Sequence, residues 1–252
     1  MDRKGHPYVF SVFISFFILL FPFISGAIIT GLVLEELETR LVQGLAFALA
    51  GLVGCSIAKN RFGNLDFLKP NFLTKEEGKK YLYFIPIILV ESLPLFFGLK
   101  DKISLALLVT YLFFTLAVGF TEELYFRGII ANALKEKGLK VAIFLSSLLF
   151  SLGHFLNLLT GVSLMDTLFQ VILAFFFGLL AVQISFATKS IFIPIIWHFF
   201  HNLISTLTFA TREEMGLYIG GLQCIVFILF SFYLGRKFPL LSIKKEEGET
   251  NN

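Results

Sequence analysis

A chain of 252 residues with 56% hydrophobic and only 15% charged side chains falls well short of the roughly 25% charged residues of soluble domains, which excludes a water-soluble globular domain. Phe occurs 33 times, and apolar runs approaching the ~20 residues that cross a ~30 Å hydrocarbon core recur along the chain. The net charge of +3 comes from Lys and Arg gathered in short segments between those runs, so it bears on topology and supplies no nucleic-acid-binding surface.

In chain order, the first apolar run, Val9 to Thr30, follows Arg3-Lys4 and measures 22 residues. That exceeds the roughly 7–15 residues of a signal-peptide core, so a retained first span is expected despite the small residues Ser25-Gly26-Ala27. Further spans are expected near Leu41–Ala58, Leu82–Leu99, Ile103–Gly119 with a helical continuation to about Leu134, Leu139–Leu156, Leu168–Ala187, Ile191–Phe209 and Leu217–Leu234. Between the second and third, Thr74-Lys75-Glu76-Glu77 has the pattern of a capping box. With the N-terminus cytoplasmic, sixteen of the 21 Lys and Arg fall on the inner side, Arg40, Lys100, Lys102 and Arg212 outside, and Arg127 within a span; this asymmetry favours an even number of crossings. The expected fold is all-α, a polytopic transmembrane helical bundle of about eight spans with both termini cytoplasmic. It divides into N-terminal helices over residues 1–100, a membrane domain over 103–209, a last helix at 217–234 and a polar, disordered tail at 244–252. Cys55 and Cys224 sit inside apolar runs without paired spacing and read as small core residues.

Ionisable groups inside a span are costly, so each is a functional candidate. Phe120-Thr121-Glu122-Glu123-Leu124-Tyr125-Phe126-Arg127 places two carboxylates and a guanidinium in an otherwise apolar helix. Glu123 and Arg127, at i and i+4, share a face and neutralise each other. Glu122 is rotated by ~100° from Glu123 and has no intrahelical partner, which leaves it free to act as a general base. The bland alternative is a triad that only ties helices together.

Three histidines follow in later spans: His154, and His198 with His201 beside it. His198 and Asn202 share a face at i and i+4, while His201 reads as a satisfied interhelical hydrogen bond. Counted at ~1.5 Å per residue from the nearest inner lysine, Glu122 lies ~20 Å, His154 ~21 Å and His198 ~14 Å deep, so groups from three helices can converge on one cavity. Peptide hydrolysis there needs an activated water and donors for an oxyanion. Glu122 with His154 can deprotonate the water, and His198 with the Asn202 amide can donate to the oxyanion. Zinc held by Glu122, His154 and His198 ranks second, because no His-Glu-x-x-His helix specifies it.

These residues resemble the CPBP family of intramembrane peptidases, which includes type 2 CAAX prenyl endopeptidases and bacterial Abi-type proteins. Glu122-Glu123-x-x-x-Arg127 is similar to the family's E-E-x-x-x-R, Phe150-x-x-x-His154 to its F-x-x-x-H, and His198-x-x-x-Asn202 to its H-x-x-x-N. The resemblance implies that Glu122 and His154 activate water, that His198 and Asn202 stabilise the oxyanion, and that Glu123 and Arg127 support the site. It implies membrane lipids and a membrane-associated protein or peptide as partners, no nucleic acid, and a bacterial or archaeal membrane as the setting; substrate and oligomeric state stay open. Two other classes compete: a non-proteolytic immunity or display protein with the same buried cluster, and a small transporter suggested by Glu91 beside Ser92 and Pro94.

Overall fold

The computed structural model describes residues 6–70, 84–209 and 214–237; the capping-box segment at Thr74 and the 244–252 tail lie outside the described residues. Nine α-helices form among them, with no β-sheet, only an isolated antiparallel bridge between Leu99 and Thr208. α1 (Pro7–Leu32) begins on a proline, which lacks the N–H that a first turn cannot satisfy anyway. α2 (Glu36–Phe62) has acids in its first turn and Lys59 and Arg61 in its last, matching the helix dipole, and stops at Gly63 with φ 79°. α3 (Ile85–Ser92) is short and tightens into a 3₁₀ turn over Leu93–Phe97, where Pro94 interrupts the α-helical hydrogen bonds. α4 (Leu105–Glu123) starts at Ser104, whose hydroxyl oxygen accepts the Leu107 N–H at 3.1 Å. It continues through a seven-residue π-helical stretch, Leu124–Ile130, into α5 (Ala131–Leu134). α6 (Leu139–Leu152) passes into a 3₁₀ stretch over Gly153–Thr160; α7 (Leu164–Thr188), α8 (Phe192–Leu207) and α9 (Glu214–Lys237) complete the bundle.

Each of the eight predicted apolar runs carries a helix, and six are long and apolar enough to cross a membrane. The third and seventh runs give the shorter helices Ile85–Phe97 and Phe192–Leu207. They are cut short because their ends meet: Thr208 leaves the helix to pair with Leu99, and the Lys100 N–H donates to the Leu207 carbonyl at 2.8 Å. Polar and apolar groups are distributed inside-out. Phe13, Phe16, Val109, Leu229 and Phe232 are all more than half exposed, whereas Thr115, Thr121, Glu123, Arg127, Ser146, Ser147 and Ser151 are fully buried. That is the arrangement of an integral, multi-pass membrane protein, whose outer surface contacts lipid and whose polar groups pair within.

The main packing pairs are α2 on α4, α6 on α7, α4 on α8, and α7 on α9. α2 reaches α4 through a glycine seam. A Cβ at Gly51 would lie 2.8 Å from the Thr121 hydroxyl, and one at Gly54 2.6 Å from the Tyr125 ring. This approach lets Thr121 donate to the Phe47 carbonyl at 2.7 Å and Tyr125 to the Ala50 carbonyl at 3.1 Å. α4 is therefore fixed against α2 on both sides of Glu122 and Glu123. Cys55 and Cys224 are unpaired, half-buried and buried respectively.

Candidate active site

Glu122 and Glu123 end the regular part of α4, and the wider π-helical turn starts with the next residue. Single-turn π distortions concentrate at functional sites, where they change the direction of side chains relative to an ideal helix. The opposite wall is α8, and it comes unusually near. A Cβ on Gly119 would sit 3.1 Å from the Phe199 backbone nitrogen, so the two backbones touch one turn before Glu123.

That crossing delivers His198, itself buried, between the two carboxylates. Its Nδ1 lies 2.8 Å from Glu123 Oε1, and its Nε2 lies 3.6 Å from Glu122 Oε2. The Nδ1–H donates to Glu123, which fixes the ring and turns Nε2 toward Glu122. Glu123 is held in turn by Arg127, whose Nη1 is 3.0 Å from the same Oε1, with both side chains at 0% exposure. The i, i+4 pairing expected from the sequence therefore forms. Glu123 has a second task that helix geometry alone did not indicate, because it also orients His198. The Arg127 guanidinium makes no aligned hydrogen bond among the described residues. It rests instead on the ion pair and on two aromatic faces, with its central carbon 4.3 Å from the Phe150 ring centre and 5.7 Å from that of Phe177.

Phe150 also stacks edge-on against His154 at 5.1 Å and His198 at 5.9 Å, so one ring spaces both imidazoles and the guanidinium. His154 does not sit on a regular α-helix: the chain tightens at Gly153, and the His154 Nδ1 is 3.3 Å from the Phe150 carbonyl. Nδ1–H donation to that carbonyl leaves Nε2 as the free nitrogen. Asn202 stands one turn after His198, and its amide makes no hydrogen bond among the described residues. His154, His198 and Asn202 line one cavity of about 620 Å³ between α3, α6, α7, α8 and α9. Glu122 is not among the residues lining it; it reaches the group through its approach to His198, with 19% of its side chain exposed.

Glu91, from the third predicted span, lines the same cavity. It is buried, and three donors converge on it: Trp197 Nε1 at 2.9 Å, His201 Nδ1 at 2.8 Å and Gln223 Nε2 at 3.0 Å. His201 is thus an interhelical partner, as its sequence context suggests. Trp197 and Gln223 escaped the sequence reading. Gln223, a polar side chain inside the apolar run of α9, was the available signal.

Zinc finds no prepared site here. Among the described residues, no group of three or more His, Cys, Asp or Glu side chains is arranged to hold a metal ion.

No curated protein and no solved structure matches the chain. Residues 104–204 match the model of a family described as type II CAAX prenyl endopeptidase, Rce1-like. The matched segment runs from the residue that caps α4 to the α8 turn after Asn202, and so contains all three sequence motifs and the Glu122–His198–Glu123–Arg127 array. Over this segment the chain is similar to the Rce1-like family of type II CAAX prenyl endopeptidases.

Proposed function

We propose that the chain hydrolyses a peptide bond of a membrane-associated or lipidated protein or peptide, using water activated by Glu122 and His154 and an oxyanion site made by His198 and Asn202. The observation that carries this reading is the His198 ring clamped between two carboxylates, 2.8 Å from Glu123 and 3.6 Å from Glu122, at the wall of a cavity between the helices.

The Glu122 carboxylate takes a proton from water while the oxygen bonds to the scissile carbonyl carbon. The resulting oxyanion accepts hydrogen bonds from His198 Nε2 and the Asn202 amide. When the tetrahedral species collapses, the C–N bond breaks, and the leaving amine takes the proton that Glu122 holds. With both ring nitrogens protonated, His198 joins Arg127 in balancing Glu122 and Glu123, so the four groups bury no net charge. Glu123 and Arg127 act through His198 and touch no substrate. No step requires a metal.

Purified protein in proteoliposomes is expected to cleave an S-prenylated peptide ending in Cys-aliphatic-aliphatic-X, and to do so equally well in excess EDTA. Loss of cleavage that added zinc restores would overturn the metal-free scheme. Absence of cleavage from prenylated and unprenylated peptides alike would favour a non-proteolytic member of the family. Asn202→Ala is expected to lower kcat by about 10²–10³-fold with little change in KM, since it removes a donor that acts only on the developing oxyanion; a rise in KM at unchanged kcat would place Asn202 in ground-state binding instead.

A further inference from the structure

The Glu91 network takes no part in the scheme above, although it shares the cavity. Its four members come from three helices: Glu91 on α3, Trp197 and His201 on α8, and Gln223 on α9. A tie between helices would need nothing more than hydrogen bonds buried on all sides. His201 is different, because it lines the cavity and keeps 22% of its side chain exposed. Its Nδ1 is occupied by Glu91, and its Nε2 has no partner among the described residues.

Charge balance decides what Nε2 presents. Among the described residues Glu91 makes no ion pair with Lys or Arg; its only charged partner is His201. The pair is neutral when a carboxylate faces an imidazolium, and equally neutral when the carboxyl group gives its hydrogen bond to Nδ1. Both arrangements place a hydrogen on Nε2. The remaining one, a carboxylate beside a ring protonated only at Nδ1, leaves a net charge in apolar surroundings, the costly alternative. His201 therefore offers an N–H donor to the cavity.

Position indicates what it would bind. His201 is three residues beyond His198 on α8, about 4.5 Å along the axis. An extended peptide advances roughly 3.3 Å per residue, so a substrate carbonyl held at His198 has its neighbouring carbonyl oxygen near His201. We propose that the Glu91–His201 pair is a second binding centre of the cavity, in which the His201 Nε2–H takes a carbonyl oxygen of the substrate next to the scissile bond and Glu91 positions the ring. The inference rests on the peptidase reading for the identity of the ligand.

Binding is measured apart from cleavage. The full chain carrying Glu122→Gln, in detergent micelles, is titrated with a fluorescent S-prenylated peptide ending in Cys-aliphatic-aliphatic-X, once with a free C-terminal carboxylate and once as the carboxamide. Adding His201→Phe is expected to weaken binding by roughly tenfold, the loss of one hydrogen bond to a carbonyl oxygen. His201→Gln, which retains an N–H donor, is expected to recover part of it. Glu91→Gln keeps the shape and one acceptor oxygen, which can still take the His201 and Gln223 hydrogens while Trp197 loses its acceptor, and is expected to weaken binding like His201→Phe, because a neutral partner lets the ring keep its proton on Nδ1. Weakening of both peptides identifies an internal carbonyl as ligand, whereas weakening confined to the free acid would overturn the proposal, because the terminal carboxylate lies about 10 Å further along an extended chain. Affinities within twofold of the parent for both His201→Phe and Glu91→Gln would overturn the proposal, as would failure of the parent to bind either peptide. If the chain with Glu122 intact cleaves neither peptide while His201-dependent binding persists, the peptidase reading fails and the binding centre stands.

Discussion

Glu122→Gln is expected to lower peptide hydrolysis in proteoliposomes by about 10²–10⁴-fold, the range that a positioned general base contributes, with a smaller loss of folding stability than the same change at Glu123. The stability half of this expectation comes from the environment of the side chain. Glu122 is 19% exposed, and its nearest charged neighbour is His198 Nε2 at 3.6 Å, beyond hydrogen-bond length. The amide takes one negative charge from the cluster, but at its partly exposed edge, where water can offset the loss. Glu123→Gln makes the contrast, because Glu123 is fully buried and joins Arg127 to His198, so the same chemical change there should lower both activity and stability. Initial rates and thermal unfolding in detergent, measured on both variants, separate the roles. A Glu122→Gln enzyme that cleaves within threefold of the parent would remove Glu122 as the base.

Arg127→Met is the second large effect. Removing one partner of a buried ion pair leaves the other charge uncompensated, at a cost of about 3–5 kcal/mol. Here the stranded group is Glu123, at 0% exposure, with only the His198 N–H left to it. Phe150 and Phe177, which now cover the guanidinium, would pack against the methionine instead. Stability should therefore return when the second charge is removed. Glu123→Gln combined with Arg127→Met is expected to be more stable than Arg127→Met alone, and the two single losses should not add. Activity should stay low in the double variant, since His198 no longer has a carboxylate behind it. Strict additivity in unfolding experiments would mean that Glu123 and Arg127 are stabilised by separate surroundings and do not form one unit.

The positions of the helices were legible in the sequence because burial in lipid is written as continuous hydrophobicity. The charged residues of α4 were legible for the complementary reason, that a carboxylate in such a run demands an explanation. What escaped depends on contacts between distant parts of the chain. His198 and Glu123 are 75 residues apart, and no local period connects them. Glu91 meets Trp197 across 106 residues and Gln223 across 132, so the network around it could not be assembled from spacing. Local geometry also differed where it departs from an ideal α-helix. The π-helical stretch after Glu123 and the 3₁₀ stretch that carries His154 are invisible to a 3.6-residue period. Hydropathy reads composition and does not register where Thr208 leaves the helix for Leu99, which is why α8 is shorter than its apolar run.

The clamp around His198 has a consequence for biogenesis. Synthesis runs from the N-terminus, so α4 enters the translocon with Glu122, Glu123 and Arg127 well before α8 exists, and charged side chains at a helix centre each oppose insertion by roughly 2.5–3.5 kcal/mol. Until then Glu123 and Arg127 have only each other. The imidazole that completes their compensation arrives 75 residues later, on a helix whose backbone must slide into contact with Gly119. A nascent chain that stops short of His198 lacks the complete electrostatic cluster, so insertion of α8 and assembly of the site are one event.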